Sequence, residues 1–419
     1  MSRRRKWLVI AAGVAIVLVA LLLLLRVALQ PERVTRLLLD RTGRALGLEI
    51  TASGIGEYRL RGTPMVVVRN LAAREPGAAK PLLRARRIFL SMPWSTLRAR
   101  GADLTVERVE LDSPIVDLPA LQQWLSTRPA GQSRIPTLTD GLRVTNGKLD
   151  NGRWSIDAID IDLPRLAPEQ PVNARVRGRY IDPPRRITFD LAVALSQPAK
   201  QAGFAAIGPV TVRSAGWSVP ALIKLSGPMR IDGSAIRMTP ARLALAARYK
   251  SASNEIPFAL GFSGPLQFKQ GVWAWAPVGV ALRGEDRVPD LTAHGALALG
   301  RTLLIELDGT IPVWSDAWPA LPPPLSASKS RLPFGLRYRG KADLSEVAAL
   351  RLQRDATRFA GRLRVFDVSE WITAKPPDSP LPPLDGVLTT PTLEISGTQL
   401  EGVEITFDDP DIPALETAP

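Results

Sequence analysis

Few side chains in this sequence could carry catalysis. There is one histidine, His294, and no cysteine. A Ser-His-Asp arrangement or a multi-histidine metal site would have to be built on His294. Its setting, Leu291-Thr292-Ala293-His294-Gly295-Ala296-Leu297-Ala298-Leu299, reads as an ordinary strand. Zero cysteine removes thiolate nucleophiles and every cysteine-ligated metal site. It also fits a domain exported to an oxidising compartment, where thiols would mispair. The sequence holds no phosphate-binding loop. The chain is therefore expected not to be an enzyme and to use neither cofactor nor metal.

What the sequence does repeat is one-sided apolar spacing. Val172, Ala174, Val176, Gly178 and Tyr180 share one face, with Asn173, Arg175, Arg177 and Arg179 on the other. Ile187, Phe189, Leu191, Val193 and Leu195 form a second ladder, and Phe258, Leu260 and Phe262 a third, backed by Ala259, Gly261 and Ser263. Period two over such lengths predicts strands with one wet and one dry face. It also favours antiparallel meanders over parallel strands buried on both sides. On the residues alone, dry faces closed on each other in a β-sandwich are the better description. Trp273 and Trp275, two apart on one face, could be groove rim or core, core being the better description.

Two strands slip phase. In Trp154–Leu163 the apolar set moves from even to odd positions at Ala158/Ile159, and Leu104 and Val106 give way to Val109 and Leu111. A one-residue slip turns a strand inside out unless a bulge absorbs it. Bulges are expected near Asp157–Ile159 and Glu107–Arg108, and with them a strongly bent sheet.

These strands follow a very different N-terminus. Trp7 to Leu25 carries no charge and is preceded by Arg3-Arg4-Arg5-Lys6. As a helix it would reach roughly 28 Å, close to the ~30 Å hydrocarbon core of a bilayer. The stretch exceeds a signal-peptide apolar region, and Arg26 stands where a cleavage site needs a small residue, so it reads as an uncleaved anchor. Basic residues lie on both sides, but Glu32 and Asp40 dilute the outer set. The expected orientation is N-terminus cytoplasmic with the bulk of the chain outside.

Residues 1–6 are thus a basic cytoplasmic segment and 7–25 a transmembrane anchor. Residues 31–46 form a short helix opened by Pro31, with Val34, Leu37, Leu38 and Leu46 as its apolar stripe. Pro119 to Ser126 and Leu344 to Leu352 are further helical candidates. Residues 47–318 form the β domain, with the many prolines (38 in all) punctuating its strands. The Pro-rich stretch 319–333 is expected to be an extended, exposed linker to a C-terminal β segment, 334–407. A second Pro-rich stretch spans 376–383, and the acidic tail 408–419 is expected to fray. No strict internal period supports a solenoid.

The net charge of +14 is compatible with an anionic lipid surface or with dispersed, solvated strand faces, the latter being the better description. The basic residues are scattered, and no nucleic-acid-binding motif accompanies them, so no nucleic-acid partner is expected.

The N-terminal third carries a recognisable order of motifs. An anchor leads to Arg41-Thr42-Gly43-Arg44 and Leu48-Glu49-Ile50-Thr51. Arg86-Arg87-Ile88-Phe89-Leu90-Ser91-Met92-Pro93-Trp94-Ser95-Thr96-Leu97 follows, and then Leu104-Thr105-Val106-Glu107-Arg108-Val109-Glu110-Leu111-Asp112-Ser113-Pro114-Ile115-Val116. Over residues 1 to about 120 this resembles AsmA-like proteins, relatives of TamB and of chorein-type bridge-like lipid transfer proteins. Later segments are similar in style only.

The resemblance implies a bacterial inner-membrane, single-pass protein with its bulk in the periplasm. It implies a mainly β fold in which a long, curved antiparallel sheet forms an open apolar groove, on the order of 100 Å long if about twenty strands join it. Phospholipid and the inner membrane would be its partners, in lipid transfer or homeostasis that supports outer-membrane biogenesis. Val172, Val176, Tyr180, Ile187, Phe189, Leu191, Val193, Leu195, Phe258, Leu260 and Phe262 would line the groove and touch lipid. The alternative function is an envelope scaffold or secretion-system component, similar to the N component of type II secretion, that binds other envelope proteins.

Overall fold

The computed structural model describes Gly43 and residues 47–412, apart from 60–61, 99–103, 128–134, 233–234, 253–254, 286–287, 316–320, 322, 327, 366, 369–370, 372–382 and 396–397. The basic N-terminus, the 7–25 anchor, the 31–46 helix, and most of the 376–383 stretch and of the tail lie outside these residues. Among the described residues no helix is long and apolar enough to cross a membrane. The protein is mainly β, with long, curved, predominantly antiparallel sheet. It divides into two compact units, Met1–Thr188 and Phe189–Pro419.

In the first unit, β1 (Glu49–Arg59), β2 (Met65–Arg74) and β3 (Leu83–Ser91) pair antiparallel. The short helix α1 (Trp94–Arg98) follows, and then β4 (Thr105–Val106), β5 (Arg108–Asp112) and β6 (Ile115–Asp117). Both β5 and β6 pair with β3. Helix α2 (Leu118–Ser126) leads by way of β7 (Thr137–Leu138) to β8 (Leu142–Asp150), which runs parallel to β5 and β6. A parallel neighbour requires such a crossover. Asp117 caps α2 by accepting from the Ala120 N–H at 2.9 Å. The helix sets Ala120, Leu121 and Trp124 on Val68, Leu71 and their neighbours, so one apolar face of this unit has a helical cover. β9 (Ser155–Leu163) and β10 (Val172–Asp182) continue antiparallel.

The bulge expected near Asp157–Ile159 is present. Arg177 pairs with Asp160 but Arg179 with Asp157, so β9 holds one extra residue there, with Ala158 at φ 50°. The slip near Glu107–Arg108 has a different cause. The chain leaves a small two-stranded sheet of β4 and β7 and enters the main sheet at β5. Glu107, between them, donates its N–H to the Ser91 carbonyl at 2.9 Å and accepts from the Asp140 N–H at 2.7 Å. A change of sheet inverts the pattern as a bulge would.

The second unit begins within β11 (Arg185–Leu195) and runs as an antiparallel meander. Its strands are β12 (Gln201–Ser214), β13 (Trp217–Asp232), β14 (Ala235–Ser251), β15 (Glu255–Lys269), β16 (Val272–Gly284), β17 (Leu291–Leu299), β18 (Leu303–Ile311), β19 (Leu332–Gly340), β20 (Val347–Arg354), β21 (Thr357–Arg364), β22 (Asp385–Ile395) and β23 (Thr398–Phe407). From β12 to β23 each strand pairs with the next. The segment 344–352 is mostly strand, not helix. Ala348, Leu350 and Leu352 face one side, and pairing with both β19 and β21 outweighs the helical preference of Ala and Leu.

Prolines do more than separate these strands. A crease crosses β13 to β17, where β14 carries an extra residue at Thr239–Ala241 relative to both neighbours and β16 one at Ala276–Val278. Pro240 and Pro277 sit in these bulges, where a missing N–H costs little. The facing strands present glycine. A Cβ on Gly227 would lie 2.3 Å from the Pro240 carbonyl oxygen, and one on Gly264, at φ 140°, 2.2 Å from that of Pro277. Gly264→Ala is expected to cost about 1–3 kcal/mol and to lower the thermal midpoint, whereas Gly271→Ala, in a turn with open space at its Cβ, serves as a control for the φ penalty alone. Equal effects in a thermal melt would refute the close-approach account.

Candidate functional site

The crease organises a continuous apolar surface in the second unit. On one side of it, direct cross-strand partners form the row Ala206, Leu225, Leu243, Phe262, Val280, Ala293, Gly309, Phe334, Leu352, Phe359, Leu388, Ile405, without interruption from β12 to β23. On the other side Met229, Met238, Leu266, Trp275, Leu297, Ile305 and Tyr338 form a parallel row. Because the sheet bends between them, the two rows meet. Phe262 and Trp275 stack with centroids 5.5 Å apart, and Val278, in the crease, is 1% exposed. The cluster contains Met238, Ala241, Leu266, Trp275, Val278, Val280 and Ala293, with flanking residues that reach from Phe204 to Phe334. All of these come from consecutive strands β12–β19.

Away from the crease the same face is only half-buried. This holds for Leu245, Phe258 and Leu282, while Leu243, Leu260 and Phe262, half-buried themselves, pack against the crease cluster. Phe258 pairs with Ala247 and Gly284, and Leu260 with Leu245 and Leu282. In β11, the Ser196 N–H donates to the Gly203 carbonyl at 2.9 Å. Antiparallel continuation from there puts Leu195, Val193, Leu191 and Phe189 on the side of Phe204 and Ala206, all four half-buried. In the first unit Val176 pairs with Ile161 and Tyr180 with Ile156, and Tyr180 lies 5.5 Å from the Trp154 ring. Val172 is 7% exposed and Ile187 half-buried. The sequence reading weighed Trp275 but missed Leu225, Leu243, Phe334, Phe359 and Leu388 as members of these rows. Alanines opposite Leu243 and Leu245 blur the wet face of β14, and the bulges shift the phase within β14 and β16.

Part of the surface is covered by the chain itself. The Pro-rich segment read as a linker connects β18 and β19, which pair directly through Ile311 and Leu332. Within it Leu325 is 3% exposed and, with Leu321, packs on Phe359, Leu388, Leu352 and Phe407. This strap is fastened by Arg354, itself 5% exposed, which donates to the carbonyls of Leu325 at 2.8 Å and Ser328 at 2.9 Å. Val365, Val368 and Leu384 pack on the neighbouring cluster of Tyr338, Ala348 and Leu363. In the tail Ile412 is buried at 6%. Buried leucines between prolines read as linker because the proline density masks them.

The opposite face is largely polar and ion-paired, with Ile207 and Leu222 exposed on it in β12 and β13. His294 stands exposed there in β17 and pairs in register with Asp308. Around it lies an open hollow of about 670 Å³ lined in part by Thr292, His294, Asp308, Arg351 and Arg358. The Arg337 guanidinium, donating to Asp308 at 2.7 Å, holds that carboxyl below its usual range, and Arg351 at 3.6 Å adds to the effect. A depressed folded pKa stabilises above the unfolded value near 4 and loses that contribution as pH falls through the folded value. The difference in thermal midpoint between wild type and Asp308→Asn is therefore expected to be modest at pH 7, since the pair is half exposed, and to close below about pH 4. A pH-independent gap would refute it. Among the described residues no three His, Asp or Glu side chains are grouped to hold a metal ion.

Neither a family model, nor a curated protein, nor a solved structure matches this chain. The apolar rows are the candidate site.

Proposed function

We propose that the chain is an inner-membrane-anchored periplasmic protein whose curved sheet forms an open apolar groove for phospholipid, in lipid transfer or homeostasis between the inner and outer membranes. One observation carries this reading: an unbroken apolar row across consecutive strands, half-buried away from the crease, with its partners drawn from the same sheet. The eight strands β12–β19 set a track on the order of 35 Å at ~4.8 Å per strand. One leaflet of a ~30 Å hydrocarbon core is roughly 15 Å deep, so the track can take acyl tails lengthwise.

Transfer along such a surface requires no catalytic group. Each methylene removed from water contributes about 0.8 kcal/mol, and a continuous aliphatic floor lets one contact replace another. The resemblance of the N-terminal motifs to AsmA-like proteins, and the charge-free stretch Trp7 to Leu25 after a basic cluster, support the anchored placement. The test is mild purification of the full chain followed by lipid mass spectrometry. Phospholipid near one molecule or more per chain is the expected result. A lipid-free protein in a stable complex with another envelope protein would overturn the reading in favour of a scaffold.

A further inference from the structure

In the second unit one end of the strands leaves its apolar residues uncovered. Trp273 pairs with Phe268 on one side and Leu299 on the other, and the Phe268 and Trp273 rings lie 4.7 Å apart. Val272, Trp273 and Leu299 expose 41%, 44% and 44%, whereas Trp275, one step inward on the same face, exposes 8%. Isolated exposed hydrophobics are ordinary, but here Trp273 and Leu299 are register partners on one face and Val272 stands on the other face of the same hairpin end, beside Gly300, so the end is apolar on both sides.

The charge around the patch is mostly positive. Lys269 and Arg301 are exposed in the two turns, and Lys200 and Arg339 are exposed at the same end of β12 and β19. Among the described residues none of these four cations has an ion-pair partner. Of the acids at this end, Asp232 is paired with Arg230 and Arg237 and Glu346 with Lys341, while the exposed Asp343 carboxylate accepts from the Ser345 N–H. At the opposite end Arg248 and Lys250 pair with Glu255 and Arg283 with Asp290, while among the described residues Arg213 and Arg331 are exposed there without an ion-pair partner.

Exposed tryptophan and aliphatic residues ringed by unpaired Lys and Arg match the chemistry of an anionic bilayer surface. Aromatic rings favour the headgroup layer, and each basic residue near it adds attraction. We propose that the end of the second unit formed by the β15–β16 and β17–β18 turns docks on an anionic phospholipid bilayer, with Val272, Trp273 and Leu299 entering the headgroup layer between Lys269 and Arg301. The row Phe268–Trp273–Leu299 adjoins the Leu266–Trp275–Leu297 row of the candidate groove, so the docked end is where a lipid tail would enter. That last step rests on the proposed lipid function; the docking itself does not.

The absence of cysteine permits a clean test. Full-length Val272→Cys, labelled with an environment-sensitive fluorophore and held in phosphatidylcholine nanodiscs, is titrated with vesicles of equal parts phosphatidylglycerol and phosphatidylcholine that carry a doxyl-lipid quencher. Quenching is expected at position 272, with apparent affinity about ten-fold or more above that for phosphatidylcholine vesicles. It is expected to be lost when Trp273→Ser and Leu299→Ser are added. Val313→Cys at the opposite end, where Val313 is 75% exposed, should stay unquenched. No quenching at 272, equal quenching at 313, or indifference to the Trp273 and Leu299 changes would overturn the proposal. Copurified phospholipid is measured separately, so the groove and the docking end can fail independently.

Discussion

Phe262→Asp is expected to abolish copurifying phospholipid while the protein remains folded, and Ala259→Asp, three residues away, is expected to leave lipid content unchanged. Phe262 occupies the centre of the row, paired with Leu243 and Val280 and stacked on Trp275. A carboxylate there must either take up a proton or stay charged and keep a hydrocarbon chain off the track, at a cost of several kcal/mol. One such break suffices because a tail must lie on consecutive strands. Ala259 is exposed on the opposite face with Arg283 as its cross-strand partner, so an added acid there gains a neighbouring cation. Lipid mass spectrometry on both variants, with a thermal melt to establish folding, is the measurement. Retention of lipid in folded Phe262→Asp would remove this row as the binding surface.

Leu325→Ala should be among the most destabilising single changes in the second unit, at about 2–5 kcal/mol. The strap that carries Leu325 gains most of its packing from this side chain against Phe359 and Leu388, the latter 1% exposed. Arg354→Met attacks the same contact from behind. It removes two charge-assisted hydrogen bonds, each worth about 1.5–3 kcal/mol, and leaves the carbonyls of Leu325 and Ser328 to find other donors. Since both changes release one strap, the double variant should cost clearly less than the sum. Hydrogen exchange read over the strap, β21 and β22 would show local opening in each variant. Additive costs, or unchanged exchange there, would mean that the strap is not held as a unit.

Much of this architecture is legible in the sequence. Alternation in Val172–Tyr180, Phe189–Leu195 and Phe258–Phe262 identified strands and their dry side, and the slip at Ala158 marked a bulge that the backbone contains. The candidate helix at Pro119–Ser126 is present, with Asp117 as its cap. Other signals were ambiguous for physical reasons. Leu344–Leu352 offers helix-forming residues in a pattern that two neighbouring strands can also pair with. The slip at Glu107 is equally consistent with a bulge or a change of sheet. Proline in Thr239-Pro240 or Ala276-Pro277 looks like an interruption until the glycine carried by the preceding strand is known.

The sequence alone therefore determined the β class, the antiparallel habit, and which side of each strand avoids water, because period two is written into single strands. It left undecided what each dry side meets. Only the tertiary structure decided that Phe262 turns onto Trp275 across a crease, that Leu325 covers Leu388, and that Val272, Trp273 and Leu299 are left exposed at one end. The reason is that hydrophobic spacing reports a preference for leaving water, whereas the identity of the contacting body depends on bends and loops that join residues far apart in the chain, as with Leu325 and Leu388.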